Sequence, residues 1–355
     1  MPIDLIKKIT KKKDAVFTSN CSTAIFLLLK SLGLKNKKII VPVNICFDVI
    51  LSIIFSTNIP IIVDTNDKLS YDILEFKLSL QSNDKVGAVI FPYAFGNSHN
   101  FNDIFKICKK KKIILIEDIA GSFGGKIGAS YFGSFADFTV GSFGQGKIID
   151  MDGGGFIASN KISICNKVKS NYDLLKEHTI KNKNLYYKVN TIYYKILSNK
   201  KYKKLFNKNN LQIFFDAFIY KKNFDKKYFK ILNSKIVKID NINFIRNKKA
   251  NYFEKILNFK KFVSIRHKKG SVYWRKNFLV KDLDSFKIIN YLNLQNIYAR
   301  KYYAPLNYIF PFFKKKFINY EKNYKHLINF WVGNETNFNE IKKIKKILGN
   351  IYNVN

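Results

Sequence analysis

Apolar residues in the first half of the chain form short unbroken runs. Between these runs they recur every three or four positions. The runs at 15–18, 38–42, 60–64, 86–92, 113–118, 135–142 and 155–159 predict strands buried on both faces, since a half-buried strand would alternate. The intervening segments 24–32 (AIFLLLKSL), 47–56 and 103–111 (DIFKICKKK) read as helices. Gly33 follows the first of them and suits the left-handed conformation that closes a helix. Strands alternating with helices predict a three-layer α/β/α fold around a mostly parallel, seven-stranded sheet. Ligands of such sheets bind beyond the carboxyl ends of the strands.

The pattern changes after residue 160. Residues 161–230 are dense in Lys, Asn and Tyr and read as helical. From about Ile236 onward shorter strands return at 262–265 and 272–280, followed by helices at 284–292 and 338–351. The expected organisation is a large α/β domain over 1–235, including the helical segment 161–230, and a smaller C-terminal α+β domain over 236–355. The weakly charged run 39–63 has the length of a membrane span. It holds Asp48, Asn44, Asn58, Pro42 and Pro60, so a buried strand–helix–strand is the expectation, with no membrane span.

Composition adds a core and a large charge. The 355 residues are 47% hydrophobic and 16% aromatic, enough for a sizeable interior. The net charge of +38 invites a nucleic-acid or anionic-membrane reading. Yet 59 of the 63 basic residues are Lys and only 4 are Arg (Arg246, Arg266, Arg275 and Arg300). Phosphate and base readers favour the bidentate fork of Arg. Abundant Asn, Ile, Phe and Tyr with scarce Ala, Gly and Pro point instead to AT-rich coding, so no specific nucleic-acid partner is expected. Residues 1–14 are basic without the apolar stretch of a secretory signal. Cys21, Cys46, Cys108 and Cys165 are far apart and form no CxxC pair, which suits a reducing cytoplasm. His99, His178, His267 and His326 are isolated, and no spacing suits a metal.

Four clusters at strand ends could carry chemistry. Ser19-Asn20-Cys21-Ser22-Thr23 precedes the helix at Ala24 and would serve equally as a helix cap or a phosphate cradle. Glu117-Asp118 ends a buried strand, where a carboxylate is costly unless it meets a cation or a donor. In Ser142-Phe143-Gly144-Gln145-Gly146-Lys147 the lysine is a candidate Schiff-base amine or a plain surface lysine. Asp150-Met151-Asp152-Gly153-Gly154-Gly155 permits close backbone approach or a simple tight turn. Trp274-Arg275 lies on an expected strand, as packing with an exposed guanidinium or as a contact to a substrate anion.

Taken together, the clusters resemble the DegT/DnrJ/StrS family of pyridoxal-phosphate-dependent sugar aminotransferases, of the aspartate-aminotransferase fold. Ser22-Thr23-Ala24 matches the family's phosphate turn and Glu117-Asp118-Ile119-Ala120 its E-D-x-A segment. Ser142-Phe143 with Lys147 matches S-F-x-x-x-K, and Asp152-Gly153-Gly154 its D-G-G. Val41-Pro42, Val63-Asp64 and Phe95-Gly96 are further similarities. Tyr303-Ala304-Pro305-Leu306 looks like the family's Y-x-P-L-H.

The resemblance implies that Lys147 anchors pyridoxal 5'-phosphate and then shuttles a proton. It implies that Asp118 pairs with the ring nitrogen, and that Ser22, Thr23 and Ser142 hold the phosphate. The family's ring-stacking aromatic falls at Cys46, with Phe47 or Tyr93 as substitutes. Tyr93, Tyr303 and Asn307 are candidate substrate contacts. The implied reaction moves an amino group, with glutamate the usual donor, to a nucleotide-linked keto-sugar for surface-polysaccharide biosynthesis, in a homodimer. Lysine at 147 disfavours the dehydratase branch, which has histidine there. Three departures stand out: Gly121 where the family has Gln, Asn307 where it has His, and no G-x-N-x-R segment, with 181–200 in its place. They leave an inactive or regulatory relative as the alternative, ahead of a basic nucleic-acid- or membrane-surface-binding protein.

Overall fold

The computed structural model describes residues 1–198 and 205–352. Residues 199–204 of the helical segment expected over 161–230, and with them 199–200 of the segment 181–200, lie outside the described residues. Seven strands form the central sheet: β1 (Asp14–Thr18), β2 (Lys38–Pro42), β3 (Ile59–Val63), β4 (Val86–Pro92), β5 (Ile114–Asp118), β6 (Phe138–Ser142) and β7 (Gly155–Ser159). Their order is β1-β7-β6-β5-β4-β2-β3. Strands β3, β2, β4, β5 and β6 run parallel, and β7 pairs antiparallel with both β6 and β1. β6 and β7 are buried along their whole length, as their unbroken apolar runs require.

The helices of this half are α1 (Pro2–Thr10), α2 (Cys21–Ser31), α3 (Phe47–Phe55), α4 (Ile73–Gln81) and α5 (Phe101–Lys110). Asn20 caps α2 by accepting from Thr23 N at 2.7 Å, and Gly33 closes it at φ +69°. The run 39–63 is β2–α3–β3. Among the described residues no helix is long and apolar enough to cross a membrane.

Beyond β7 come α6 (Ile162–Asp173) and α7 (Ile180–Ser198). Where shorter strands are expected from Ile236, an 18-residue helix (Ile239–Ile256) intervenes first. A second, antiparallel sheet then forms from β8 (Phe262–Ser264), β9 (Arg275–Val280), β10 (Ala299–Arg300) and β11 (Leu327–Trp331), in the order β8-β9-β11-β10. Phe253, Phe278, Phe330 and Ile344 share its apolar core.

Residues 272–274, expected to open a strand, instead join the two halves. Trp274 N donates to Phe95 O at 2.9 Å and Val272 N to Gly96 O at 3.2 Å. Gly96 has φ +96°, and a Cβ there would stand 2.2 Å from Val272 O, so this crossing needs glycine.

The C-terminal end of β5 is fixed by Glu117. It is fully buried and accepts from Tyr93 OH at 2.6 Å, Gly133 N at 2.7 Å, Phe135 N at 2.9 Å and Ala136 N at 2.7 Å. Burial pushes its carboxyl up, and the four donors pull it back. Glu117→Ala would strand three backbone donors inside the fold. The expected loss is about 3 kcal/mol or more of unfolding free energy in urea titrations. Glu117→Gln, which keeps an acceptor, should lose less.

Candidate active site

The pleat that turns Glu117 into the fold turns its neighbour Asp118 to the opposite face. Asp118 is buried, and Oδ1 accepts from Ala120 N at 2.9 Å. Burial raises its carboxyl; the Ala120 N–H and the nearby Lys147 ammonium oppose that rise. The two acids read together from the sequence therefore have separate duties. Glu117 holds the loop 133–136, and Asp118 faces the cleft.

Lys147 reaches the same cleft from the loop after β6. Its backbone N donates to Gly144 O at 3.2 Å, and Gly146, at φ +71°, turns the chain beneath it. Gly146 N is held by Asp150 Oδ2 at 2.7 Å. Gly146 O accepts from Trp274 Nε1 at 2.7 Å and from Arg275 Nη2 at 3.3 Å. The second sheet thus grips the loop that carries the lysine. Lys147 Nζ stands 5.1 Å from the Trp274 ring centre. Among the described residues it has no ion pair and no hydrogen bond.

Arg275 is not the exposed guanidinium expected from a strand position. It is buried between Trp274 and Trp331, with Cζ 4.3 Å and 3.2 Å from their ring centres. Nη1 donates to Trp274 O at 2.8 Å. Burial pulls the guanidinium down to about 9.

Trp274 also lies against Gly121: a Cβ at Gly121 would meet the indole at 3.8 Å, an ordinary packing distance. Phe95 and Tyr303 stack beside Trp274, with ring centres 6.2 Å and 5.7 Å away, and form one aromatic wall. Tyr303 is close enough for Cys46 and Asp118 to act on its hydroxyl, which burial pushes up.

The remaining expected residues divide. Ser22 and Ser142 are buried at the cleft, and Ser142 Oγ accepts from Gly144 N at 3.2 Å. Thr23 faces inward: its Oγ1 lies 3.0 Å from Ser19 Oγ and 3.4 Å from Tyr220 N, so it is turned away from the cleft. Cys46 lies just ahead of α3, close enough for Lys147 to act on its thiol, which burial pushes up. Phe47 does not stack in the cleft; it packs against Tyr193, Phe206 and Phe218. Tyr93 is likewise diverted, with its ring 3.8 Å from Phe132 and its hydroxyl on Glu117. Asn307 Nδ2 donates to Glu321 Oε1 at 3.0 Å, while its Oδ1 is buried without a hydrogen-bond partner.

Asp48 is the residue the sequence reading passed over. It lies in the first turn of α3, with Oδ2 3.5 Å from Ser22 Oγ and Oδ1 buried without a partner. Burial pushes its carboxyl up to about 6, although Lys147, Ser22 and Cys46 pull the other way. An acid opening a helix right after the Cys46 position was the available signal.

The arrangement can bind a planar, anionic, electrophilic group. It offers an amine without a competing partner, a buried carboxylate beside it and an aromatic wall. The start of α2 adds Cys21 N and Ser22 N, which have no acceptor among the described residues. Among the described residues no cluster of His, Cys, Asp or Glu could hold a metal ion.

The model of the DegT/DnrJ/EryC1/StrS aminotransferase family matches residues 4–344. A GDP-perosamine synthase from Escherichia coli O157:H7 is 28% identical over 150 residues, covering 41% of this chain and 40% of that protein. The chain spans less than half the length of the curated relatives it matches. An aminotransferase from Psychrobacter cryohalolentis superposes with a TM-score of 0.79 at 15% identity, over 99% of this chain and 90% of the other. The E. coli GDP-4-keto-6-deoxy-D-mannose-3-dehydratase with bound hydrated PLP superposes with a TM-score of 0.72 at 19% identity, over 98% and 90%.

Asp48 yields a pH prediction. A carboxyl raised to about 6 from 3.8 adds stability below pH ~4 that is lost as pH rises through 6. Asp48→Asn removes that loss. In urea titrations the variant should be more stable than the parent at pH ~7.5. The difference should shrink as pH falls through 6 and vanish near pH ~4.

Proposed function

The chain belongs to the DegT/DnrJ/EryC1/StrS aminotransferase family, and from that premise we propose that it is a pyridoxal-phosphate-dependent sugar aminotransferase. Its reaction moves an amino group from an amino acid, with glutamate the expected donor, to the keto carbon of a nucleotide-linked sugar for polysaccharide biosynthesis. The observation that carries this reading is the meeting of Asp118 and Lys147 in one cleft, backed by the Trp274 ring. The relative named a GDP-perosamine synthase supports the substrate class.

Bound pyridoxal phosphate supplies an electron sink that stabilises a carbanion next to nitrogen. Each residue then has a defined task. Lys147 would offer the amine that holds the cofactor carbonyl, and with that amine free it would be the base placed to carry a proton between the two carbons on either side of the transferred nitrogen. A lysine that makes no ion pair is free to do both. Asp118, held by Ala120 N, would keep a negative charge fixed in a buried place and so would favour a proton on the ring nitrogen of the bound cofactor. Ser22 and Ser142, with the start of α2, would take the phosphate. Trp274 and Tyr303 would exclude water from one side of the ring.

The proposal includes a cytoplasmic homodimer. It also includes the division into a large domain over 1–235 and a small one over 236–355, with the grip of Trp274 and Arg275 on Gly146 as the joint between them.

Borohydride reduction in the presence of pyridoxal phosphate, followed by peptide mass mapping, tests this reading. The expected result is one added cofactor mass on the Lys147 peptide, and loss of the visible absorbance band in Lys147→Ala. Labelling spread over surface lysines, with none at Lys147, would sink it.

A further inference from the structure

Two helices begin side by side at the floor of the cleft, α2 at Cys21 and α3 at Phe47. The Ser52 hydroxyl ties their first turns together, 2.9 Å from Ser22 O and 2.8 Å from Asp48 O. Helix starts present free N–H donors and partial positive charge, so two of them side by side favour an anion. Here an anion of the chain itself faces that place. Asp48 Oδ2 lies 3.5 Å from Ser22 Oγ, and Oδ1 is buried with no hydrogen-bond partner.

Several groups face Asp48 from the surrounding elements. Cys21 and Ser22 come from α2, and Cys46 from the residue ahead of α3. Lys147 comes from the loop after β6, Tyr186 from α7, and Tyr220 from the segment lying against α2. Lys147 is the one cation among these named groups. The thiols and phenols are pushed up by burial and stay neutral. If Lys147 anchors a cofactor, no other named cation remains to neutralise Asp48. A phosphate at the start of α2 must then share Ser22 with a carboxylate, and two like charges that close in a partly dry site repel.

We propose that Asp48 is a built-in electrostatic competitor for the phosphate of pyridoxal phosphate, setting how tightly the chain holds the cofactor and making that hold depend on pH. This rests on the cofactor reading above. A protonated Asp48 can donate to a phosphate oxygen, whereas an ionised Asp48 opposes it. Affinity for phosphate compounds therefore rises as the carboxyl takes up its proton. Pyridoxal, which lacks the phosphate, meets no competitor. The cofactor's own phosphate titration is common to parent and variant and cancels in their ratio.

The experiment compares the full-length parent with Asp48→Asn and Asp48→Ser. Dissociation constants for pyridoxal phosphate and for pyridoxal come from absorbance titrations at pH ~8 and ~5.5. Melting temperatures are measured with and without inorganic phosphate. The expected result at pH ~8 is binding of pyridoxal phosphate about tenfold tighter in both variants, with pyridoxal changed less than about twofold. The gain should close at pH ~5.5. Inorganic phosphate should raise the melting temperature of the variants more than that of the parent. Equal affinity for pyridoxal phosphate in parent and variants, or an equal gain for pyridoxal, would overturn the proposal. If none of the three proteins takes up pyridoxal phosphate, the cofactor reading fails. The inorganic-phosphate shift then decides on Asp48 alone: a larger shift in the variants supports it, and equal shifts refute it.

Discussion

A carboxylate can end a buried strand only if something inside the fold answers its charge. Glu117 is answered by one phenol and three backbone N–H groups, and this fixes the end of β5 and the loop 133–136. The alternation of the strand does the rest, because a fixed Glu117 aims Asp118 at the other face. Asp118 is answered only in part, by Ala120 N on one oxygen. The fully satisfied acid is structural, and the incompletely satisfied one keeps acceptor capacity on the side of the cleft.

The second requirement is that Lys147 stay beside Asp118. Its loop has little regular structure, so its position is imposed from outside. Gly146 O receives Trp274 Nε1 and Arg275 Nη2 from the approach to β9, and Gly146 N is held by Asp150. A guanidinium stacked between two indoles is a stiff support, and its burial is tolerated because carbonyls and ring faces surround it. The two sheets are therefore joined at the residue next to the lysine. The Gly96–Val272 crossing holds the same junction from the other side.

Much of this was legible in the sequence. Strands β2, β4 and β7 fall where unbroken apolar runs place them, since burial on both faces leaves a plain pattern. The segments α1 and α4 were missed because each is only nine residues long, too short to stand out from the flanking polar chain. β11 (LINFW) escaped because five apolar and amide residues have no period long enough to tell strand from helix. Asp118 and Lys147 stood out as candidates by their place at strand ends, and the roles expected of them came from the resemblance to a family. The diversion of Phe47 and Tyr93 into the core depends on partners such as Tyr193 and Phe132, remote in sequence. The Trp274 ring over Gly121 joins positions more than 150 residues apart and leaves no local trace. Asp48 was hidden by its place in an otherwise apolar helix, although its Oδ2 lies 3.5 Å from Ser22 Oγ.

On the proposed function, one buried carboxylate, Asp118, would fix the protonation of a ring held beside Lys147. Nitrogen NMR of the protein loaded with isotopically labelled pyridoxal phosphate reads that protonation directly. The expected result is a ring-nitrogen shift typical of the protonated pyridine in the parent, moving to the neutral position in Asp118→Asn. A neutral ring nitrogen in the parent, or the same shift in both proteins, would contradict the account.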